Sequence, residues 1–168
     1  MKNIRLRAIE PEDLDLLFRI ENDQELWGMS VSNVPYSRYV LRDYVAQATN
    51  DIYADGQVRF IVETEDGETV GIADLVNFDA KNNRAELGII IERQHRRRGY
   101  GRQILTQLAD YALRVLHLHQ LYAYVEAENK PCLALFQQMG YRQQFVLKDW
   151  LYDGLTYHDA VLILCKLK

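Results

Sequence analysis

The sequence predicts an α/β fold with one mixed, mostly antiparallel sheet flanked by helices. Three observations carry that prediction. The segments 58–64, 69–78 and 84–91 are β-rich runs separated by the turn signal Asp66-Gly67 and the polar stretch 79–83, which reads as an antiparallel meander. Residues 121–125 form a second buried apolar run, separated from 84–91 by a helical pattern. A crossover of that length requires the two strands to be parallel. Residues 141–150 and 156–166 form a closing strand pair joined by Asp153-Gly154. A chain of 168 residues without a linker, a repeat or a low-complexity stretch is expected to be one domain, 1–168.

The remaining elements follow in order. Residues 4–9 alternate basic and apolar side chains and read as a short strand. Pro11, Glu12 and Asp13 suit a first helical turn, with Leu14, Leu17, Phe18 and Glu21 continuing at helical spacing. Residues 29–35 are loop-like. Over 36–48, Tyr36, Tyr39, Val40, Tyr44 and Ala48 are expected on one helical face. The helix expected at 101–116 carries Leu105, Leu108, Ala109, Ala112 and Leu116 as its apolar stripe. A short helix over 131–139 has Pro131 at its start and Gly140 past its end.

Composition excludes several classes. Hydrophobic residues make 48% and charged residues 26%, which is neither disordered nor fibrous. The net charge of −4 speaks against a nucleic-acid binder. No apolar run is long enough to cross a bilayer, and residues 1–6 have no signal-peptide core, so no membrane partner is expected. The two cysteines have no disulfide or metal spacing, and the isolated His117-x-His119 has no further ligands nearby, so no metal is expected. The expected compartment is the cytoplasm.

The charge is uneven. Arg93, Arg96, Arg97, Arg98 and Arg102 fall within ten residues that hold no acid, leaving 15 basic and 24 acidic residues elsewhere, a balance of −9. Arg96-Arg97-Arg98-Gly99-Tyr100-Gly101 lies between the buried strand and the long helix. Glycines let a ligand approach the backbone, the helix N-terminus offers free amides, and arginines supply forked donors, which together suit a pyrophosphate. The alternative is a solvated basic turn capping the helix. Neither Gly-Lys-Ser/Thr nor a third glycine is present, so the nucleoside-triphosphate and dinucleotide loops are excluded. Gly88, inside the strand feeding this loop, marks either a bulge beside a ligand or a glycine tolerated under a bulky neighbour.

At this point Arg96–Gly101 resembles the pattern Gln/Arg-x-x-Gly-x-Gly/Ala, the acetyl-CoA pyrophosphate loop of the GNAT N-acetyltransferase family. The resemblance covers essentially the whole chain. Arg84-Ala85-Glu86 through Ile91, Asn129, Met139-Gly140-Tyr141 and the tail Tyr157-His158-Asp159-Ala160 are most similar to bacterial spermidine/diamine and ribosomal-protein N-terminal acetyltransferases. It implies a central parallel strand pair that splays to admit acetyl-CoA as co-substrate. It implies that Ile89, Ile90 and Ile91 line the pantetheine arm, and that Arg96, Arg97, Arg98, Gly99, Tyr100, Gly101 and Arg102 hold the pyrophosphate. It places Asn129 and Phe136 beside the cofactor.

Glu86 matches an acidic position of the family and is the candidate general base, with a salt bridge to Arg84 or to a cation of a neighbouring strand as the alternative. Phe136 departs from the pattern, because the family commonly has a tyrosine there to protonate the leaving thiolate. Tyr141, Tyr122, Tyr124 or water are the candidate substitutes. Amides near a Gly88–Ile89 bulge would stabilise the oxyanion. Trp27 and Tyr36, with Glu86, are the expected substrate contacts, and Met29 and Tyr39 are further candidates. The favoured acceptor is a small polyamine- or diamine-like primary amine. Against that, Ser32–Ser37 carries no acid until Asp43 where the polyamine enzymes have several. Glu21, Asp23, Glu25, Asp43 and Asp51 remain as candidate cation binders. The alternatives are a peptide N-terminal acetyltransferase and a non-catalytic acetyl-CoA-binding protein. A homo-oligomer is one option the resemblance brings.

Overall fold

The computed structural model describes residues 2–29 and 34–168, the side chains of 27–29 excepted. Its centre is a seven-stranded sheet: β1 (Ile4–Ala8), β2 (Val58–Thr64), β3 (Thr69–Asp79), β4 (Arg84–Ile91), β5 (Gln120–Glu126), β6 (Arg142–Tyr152) and β7 (Tyr157–Lys166), in the spatial order β1-β2-β3-β4-β5-β7-β6. Every pairing is antiparallel except β4–β5. The helices are α1 (Leu14–Glu21), α2 (Arg38–Gln47), α3 (Ile52–Asp55), α4 (Tyr100–Arg114) and α5 (Lys130–Gln138). The fold class is as the sequence predicts.

The period of two along β2, β3 and β4 divides the apolar residues between the two faces. Val62, Ala73, Leu75, Ala85 and Leu87 belong to one core with Ile104, Leu105 and Leu108 of α4 and Phe136 of α5. Ile61, Ile72 and Ile90 belong to a second core with Leu16, Leu17 and Ile20 of α1 and Leu41 of α2. Glu86 and Gly88 alternate with Ala85 and Leu87, so they share the face of α1 and α2 with Ile90.

Some element readings need correction. Residues 11–13 form a 3₁₀ turn before α1, where Asp13 is buried and accepts from Arg7 and from the Glu10 amide. Helix α2 begins at Arg38 because Ser37 caps it, its Oγ accepting from the Val40 amide. Tyr36 therefore precedes the helix. Tyr39 and Val40 face solvent, and the buried stripe is Leu41 with Tyr44, Val45 and Ala48. The aromatic rings had drawn the expected face one residue toward the N-terminus. The short α3, capped by Asp51, has no counterpart in the sequence reading.

Gly88 is not in a bulge. It pairs in regular register with Asp74, and the irregularity of the β3–β4 ladder lies between Val76 and Asp79, where Asn77 has φ +49°. A Cβ at Gly88 would meet nothing within 4 Å, so the residue leaves bare backbone on the α1/α2 face. A second irregularity, between Leu147 and Leu151 of β6, contains Asp149 at φ +50°. Bulges bend a strand and re-aim its side chains.

Candidate active site

The parallel pair is short. Arg84, Ala85 and Glu86 pair with Gln120, Leu121 and Tyr122, and no pairing continues beyond them. Among the described residues, the edge of β4 that faces β5 has no partner strand from Leu87 to Ile91, which leaves a slot between two strands that both run on. The slot leads from Glu86 and Tyr122 to the arginine-rich loop. Ile89 and Ile91 alternate with Leu87 and pack against the α4-side core, and Ile90 packs against the α1 side.

Backbone geometry shapes the loop at the open end. Gly99 caps α4 with φ +83°, a conformation that costs glycine little. At Gly101 a Cβ would lie 2.7 Å from Leu135 Cδ2, so a larger residue would require the Leu135 side chain to move. Arg97 stands at φ +59°, an uncommon conformation for a non-glycine residue. The five arginines divide by partner. Arg93 pairs with Glu25. Arg96 turns back, its Nε donating to the Ile91 carbonyl at 2.9 Å. Arg102 donates to Gln138 Oε1 at 3.1 Å. Among the described residues, Arg97 and Arg98 have no side-chain partner and are exposed. Among the described residues, Arg93 alone of the five is matched by a carboxylate, so four cationic guanidinium groups remain, those of Arg97 and Arg98 with their donors free. Beneath the loop, Tyr100 and His95 are buried with rings 6.5 Å apart, and His95 Nδ1 has no partner among the described residues.

The closed end holds the titratable groups. Glu86 Oε2 accepts from Asn77 Nδ2 at 2.8 Å. Arg84 is bound to Asp79 instead, at 3.0 Å, so the expected Arg84–Glu86 bridge does not form. The Asn77 bulge is what brings a neutral amide, not a cation, to this carboxylate. Tyr122 lies opposite Glu86 in the ladder. Burial, and then the nearby Glu86 charge, push its phenol above the ordinary tyrosine value, so it stays protonated at neutral pH. Tyr122 touches Tyr124 edge to face at 5.9 Å, and Tyr124 touches Trp150 of β6 at 5.9 Å. This row was missed as a unit. The alternation Leu121-Tyr122-Ala123-Tyr124-Val125 was its one sequence signal, placing both tyrosines on one face.

The other expected residues are placed as follows. Asn129 caps α5, its Oδ1 accepting from the Cys132 amide at 3.2 Å. Phe136 is 3% exposed, and its ring meets Tyr141 edge to face at 5.0 Å. The Tyr141 hydroxyl is buried without a partner and feels Cys165, which pairs with Leu121 on the α4 side of the sheet. Tyr141 is thus on the face opposite Glu86. Tyr36 is half-buried against the α1/α2 core, its backbone held at both ends by the Asn22 side chain. The side chains of Trp27 and Met29, and Ser32 and Asn33, lie outside the described residues. The acids proposed as cation binders are engaged: Glu21 with Arg59, Glu25 with Arg93, Asp23 with the Glu25 amide, Asp43 with Gln47 and Asp51 with the Tyr53 amide. Neither thiol is an activated nucleophile. Burial pushes Cys132 up to about 11 and raises Cys165 as well.

The family description "Acetyltransferase (GNAT) domain" matches residues 3–142. The chain belongs to the GNAT acetyltransferase family. It is an N-acetyltransferase. Among curated relatives, it is 26% identical over 158 residues to a spermidine N(1)-acetyltransferase of Vibrio cholerae, covering 94% of this chain and 89% of the relative. It is 28% identical over 160 residues to the spermidine N(1)-acetyltransferase of Escherichia coli K12, covering 95% and 83%. A putative ribosomal N-acetyltransferase of Bacillus subtilis is 27% identical over 164 residues, covering 95% and 89%. Among solved structures, spermidine N-acetyltransferase from Vibrio cholerae in complex with CoA and spermine superposes with a TM-score of 0.88 at 24% identity, covering 98% of this chain and 96% of that one. That likeness bears on the fold.

Proposed function

We propose that this GNAT domain, spanning 1–168, moves the acetyl group of acetyl-CoA directly to a small primary amine of the diamine or polyamine kind. The observation that carries the reading is the slot between β4 and β5, closed by the Glu86–Tyr122 pair and opening onto the loop that presents Arg97 and Arg98. The residues fit the co-substrate. Backbone along Ile89, Ile90 and Ile91 would line the pantetheine. The α4 amides from Gly99 to Gly101, with Arg97 and Arg98, would meet the pyrophosphate, and Arg96 and Arg102 would brace the loop. Asn129 and Phe136 stand on α5, the helix packed behind that arm. Acetyl-CoA supplies an activated thioester.

Glu86 takes a proton from the incoming ammonium, and Asn77 holds the carboxylate oriented for it. Tyr122, kept protonated by burial and by Glu86, gives its proton to the departing thiolate and regains one from the acylated nitrogen, which sheds its second proton as the amide forms. It thereby fills the role left vacant by Phe136. The raised thiols of Cys132 and Cys165 favour direct attack over an acyl-enzyme. Amides of the unpaired β4 edge remain the oxyanion donors, without the bulge.

The test is thiol release from acetyl-CoA over diamines, polyamines and peptides with free N-termini, with the product weighed by mass spectrometry. Monoacetylated diamine is the expected product. Turnover confined to peptides would move the assignment to N-terminal acetylation. Tyr122→Phe should lose about 10²-fold in kcat, and adding Phe136→Tyr to that variant should restore most of it. An unaltered rate in Tyr122→Phe would remove the phenol from the mechanism.

A further inference from the structure

Resting on that reading, a second cationic centre needs a partner near Glu86, and of the acids expected for it Glu21 and Glu25 are already paired with Arg59 and Arg93. We propose that Tyr124 and Trp150 form an aromatic shelf that binds the non-reacting ammonium of a diamine acceptor by cation–π attraction, in place of carboxylates.

The shelf is continuous with the site. Glu86, Tyr122, Tyr124 and Trp150 follow one another in contact or in register on one face of the sheet. Its outer half is open: Tyr124 is 36% exposed and Trp150 56%. The two rings are tilted by 32° and touch each other, so a ligand lies across their outer faces and not between them. Trp150 is delivered by the β6 irregularity around Asp149, just as Glu86 is served by the β3 irregularity around Asn77. Both non-glycine residues adopt positive φ, an arrangement frequent beside active sites.

Charge and spacing select the occupant. Beyond Tyr124 on the same face of β5 lies Glu126, bound to His158 at 3.2 Å, and His158 also binds Asp153 at 2.7 Å. Asp159 is held by Lys148 at 2.6 Å. These carboxylates keep the surroundings negative but have cations of their own. The exposed ring faces are what is left for a second ammonium, and aromatic faces attract cations. Two residues along a strand span about 7 Å, so an amine attacking beside Glu86 and Tyr122 would place its far end over Tyr124 if about four or five carbons separate the nitrogens. The matching class is an aliphatic diamine, or the diamine portion of a polyamine.

The experiment compares kcat/KM for 1,4-diaminobutane, butylamine and 2-phenylethylamine in the full chain. Wild type should prefer the diamine over butylamine by about 5- to 30-fold. Trp150→Leu and Tyr124→Leu should each lower kcat/KM for the diamine more than for butylamine and bring the ratio toward one, while Trp150→Phe should keep most of the preference. If Trp150→Leu does not fold, Tyr124→Leu and the wild-type ratio still decide. A diamine preference that survives both leucine variants overturns the proposal, as does equal use of diamine and butylamine. Preference for 2-phenylethylamine would replace cation–π by stacking and overturns it too. Silence toward every amine would instead strike the underlying N-acetylation reading.

Discussion

The two ends of the slot are built by different means. At the arginine loop the site is mostly backbone: Gly99 in a left-handed conformation, α4 amides, and the close approach at Gly101. At the Glu86 end it is made of side chains from β3, β4, β5 and β6, aimed by two bulges. A backbone site tolerates few substitutions, whereas a side-chain site can be rewritten one residue at a time; on the proposed reading the first would hold the co-substrate and the second would choose the acceptor.

Substitutions at the two ends should therefore fail differently. Gly99→Asp places a carboxylate and a strained φ where phosphates are expected, and CoA affinity by calorimetry should fall at least about 100-fold. A retained Kd would remove the loop from cofactor binding. Arg59→Met tests the ground beneath the acceptor end. Arg59 grips Asp74 through Nε and Nη2, at 2.9 and 2.8 Å, and Glu21 at 2.5 Å. Taking the guanidinium away from the Asp74 carboxylate should cost about 3 kcal/mol of stability in denaturant unfolding, with a weaker acceptor KM following from disorder under Gly88. A variant as stable as wild type would show that the trio supports nothing.

Arg97→Gly should separate two effects at one position. Relieving φ +59° should add about 1 kcal/mol of stability, while losing one of two free guanidinium groups should weaken CoA about threefold to tenfold at low salt. Tighter CoA binding in the glycine variant would mean that Arg97 faces solvent only.

The smallest effect concerns the β6–β7 turn. Hydrogen bonding to Asp153, and then the charges of Asp153 and Glu126, raise His158 above the ordinary histidine value. Asp153 in turn is held down to about 2 by the Thr156 amide, His158 and the Leu155 amide. A raised folded-state pKa stabilises the fold fully below the unfolded value near 6.5 and loses that contribution as pH rises through the folded value. Wild type should melt slightly above His158→Gln at about pH 6, and the gap should close by about pH 9. A gap that widens with pH would reverse the sign of the coupling.

The same contrast explains what could be read from the sequence. The arginine loop was legible because its parts are contiguous and its physics is local, from Arg96 to Gly101. The fold was legible from period changes and from the crossover that forces β4 and β5 parallel. What could not be read is side-chain partnership. Five arginines counted alike in the sequence, yet three are tied to Glu25, Ile91 and Gln138. Arg84 sits two residues from Glu86 but bonds Asp79, because the Asn77 bulge shifts the ladder. Gly88 signals an open surface, which a strand glycine does not distinguish from a bulge. The row Tyr122, Tyr124, Trp150 joins residues far apart in the chain and depends on β7 lying between β5 and β6, with a bulge returning Trp150 to Tyr124.

The central claim is that Glu86 does chemistry at the end of the slot and does not hold the cofactor. Glu86→Gln keeps the shape and the Asn77 neighbourhood while removing the base. Measured side by side, its kcat with 1,4-diaminobutane should fall about 10²- to 10⁴-fold at neutral pH, with the Kd for CoA within about twofold of wild type. An unchanged kcat, or a loss that appears wholly as weaker CoA binding, would contradict the account.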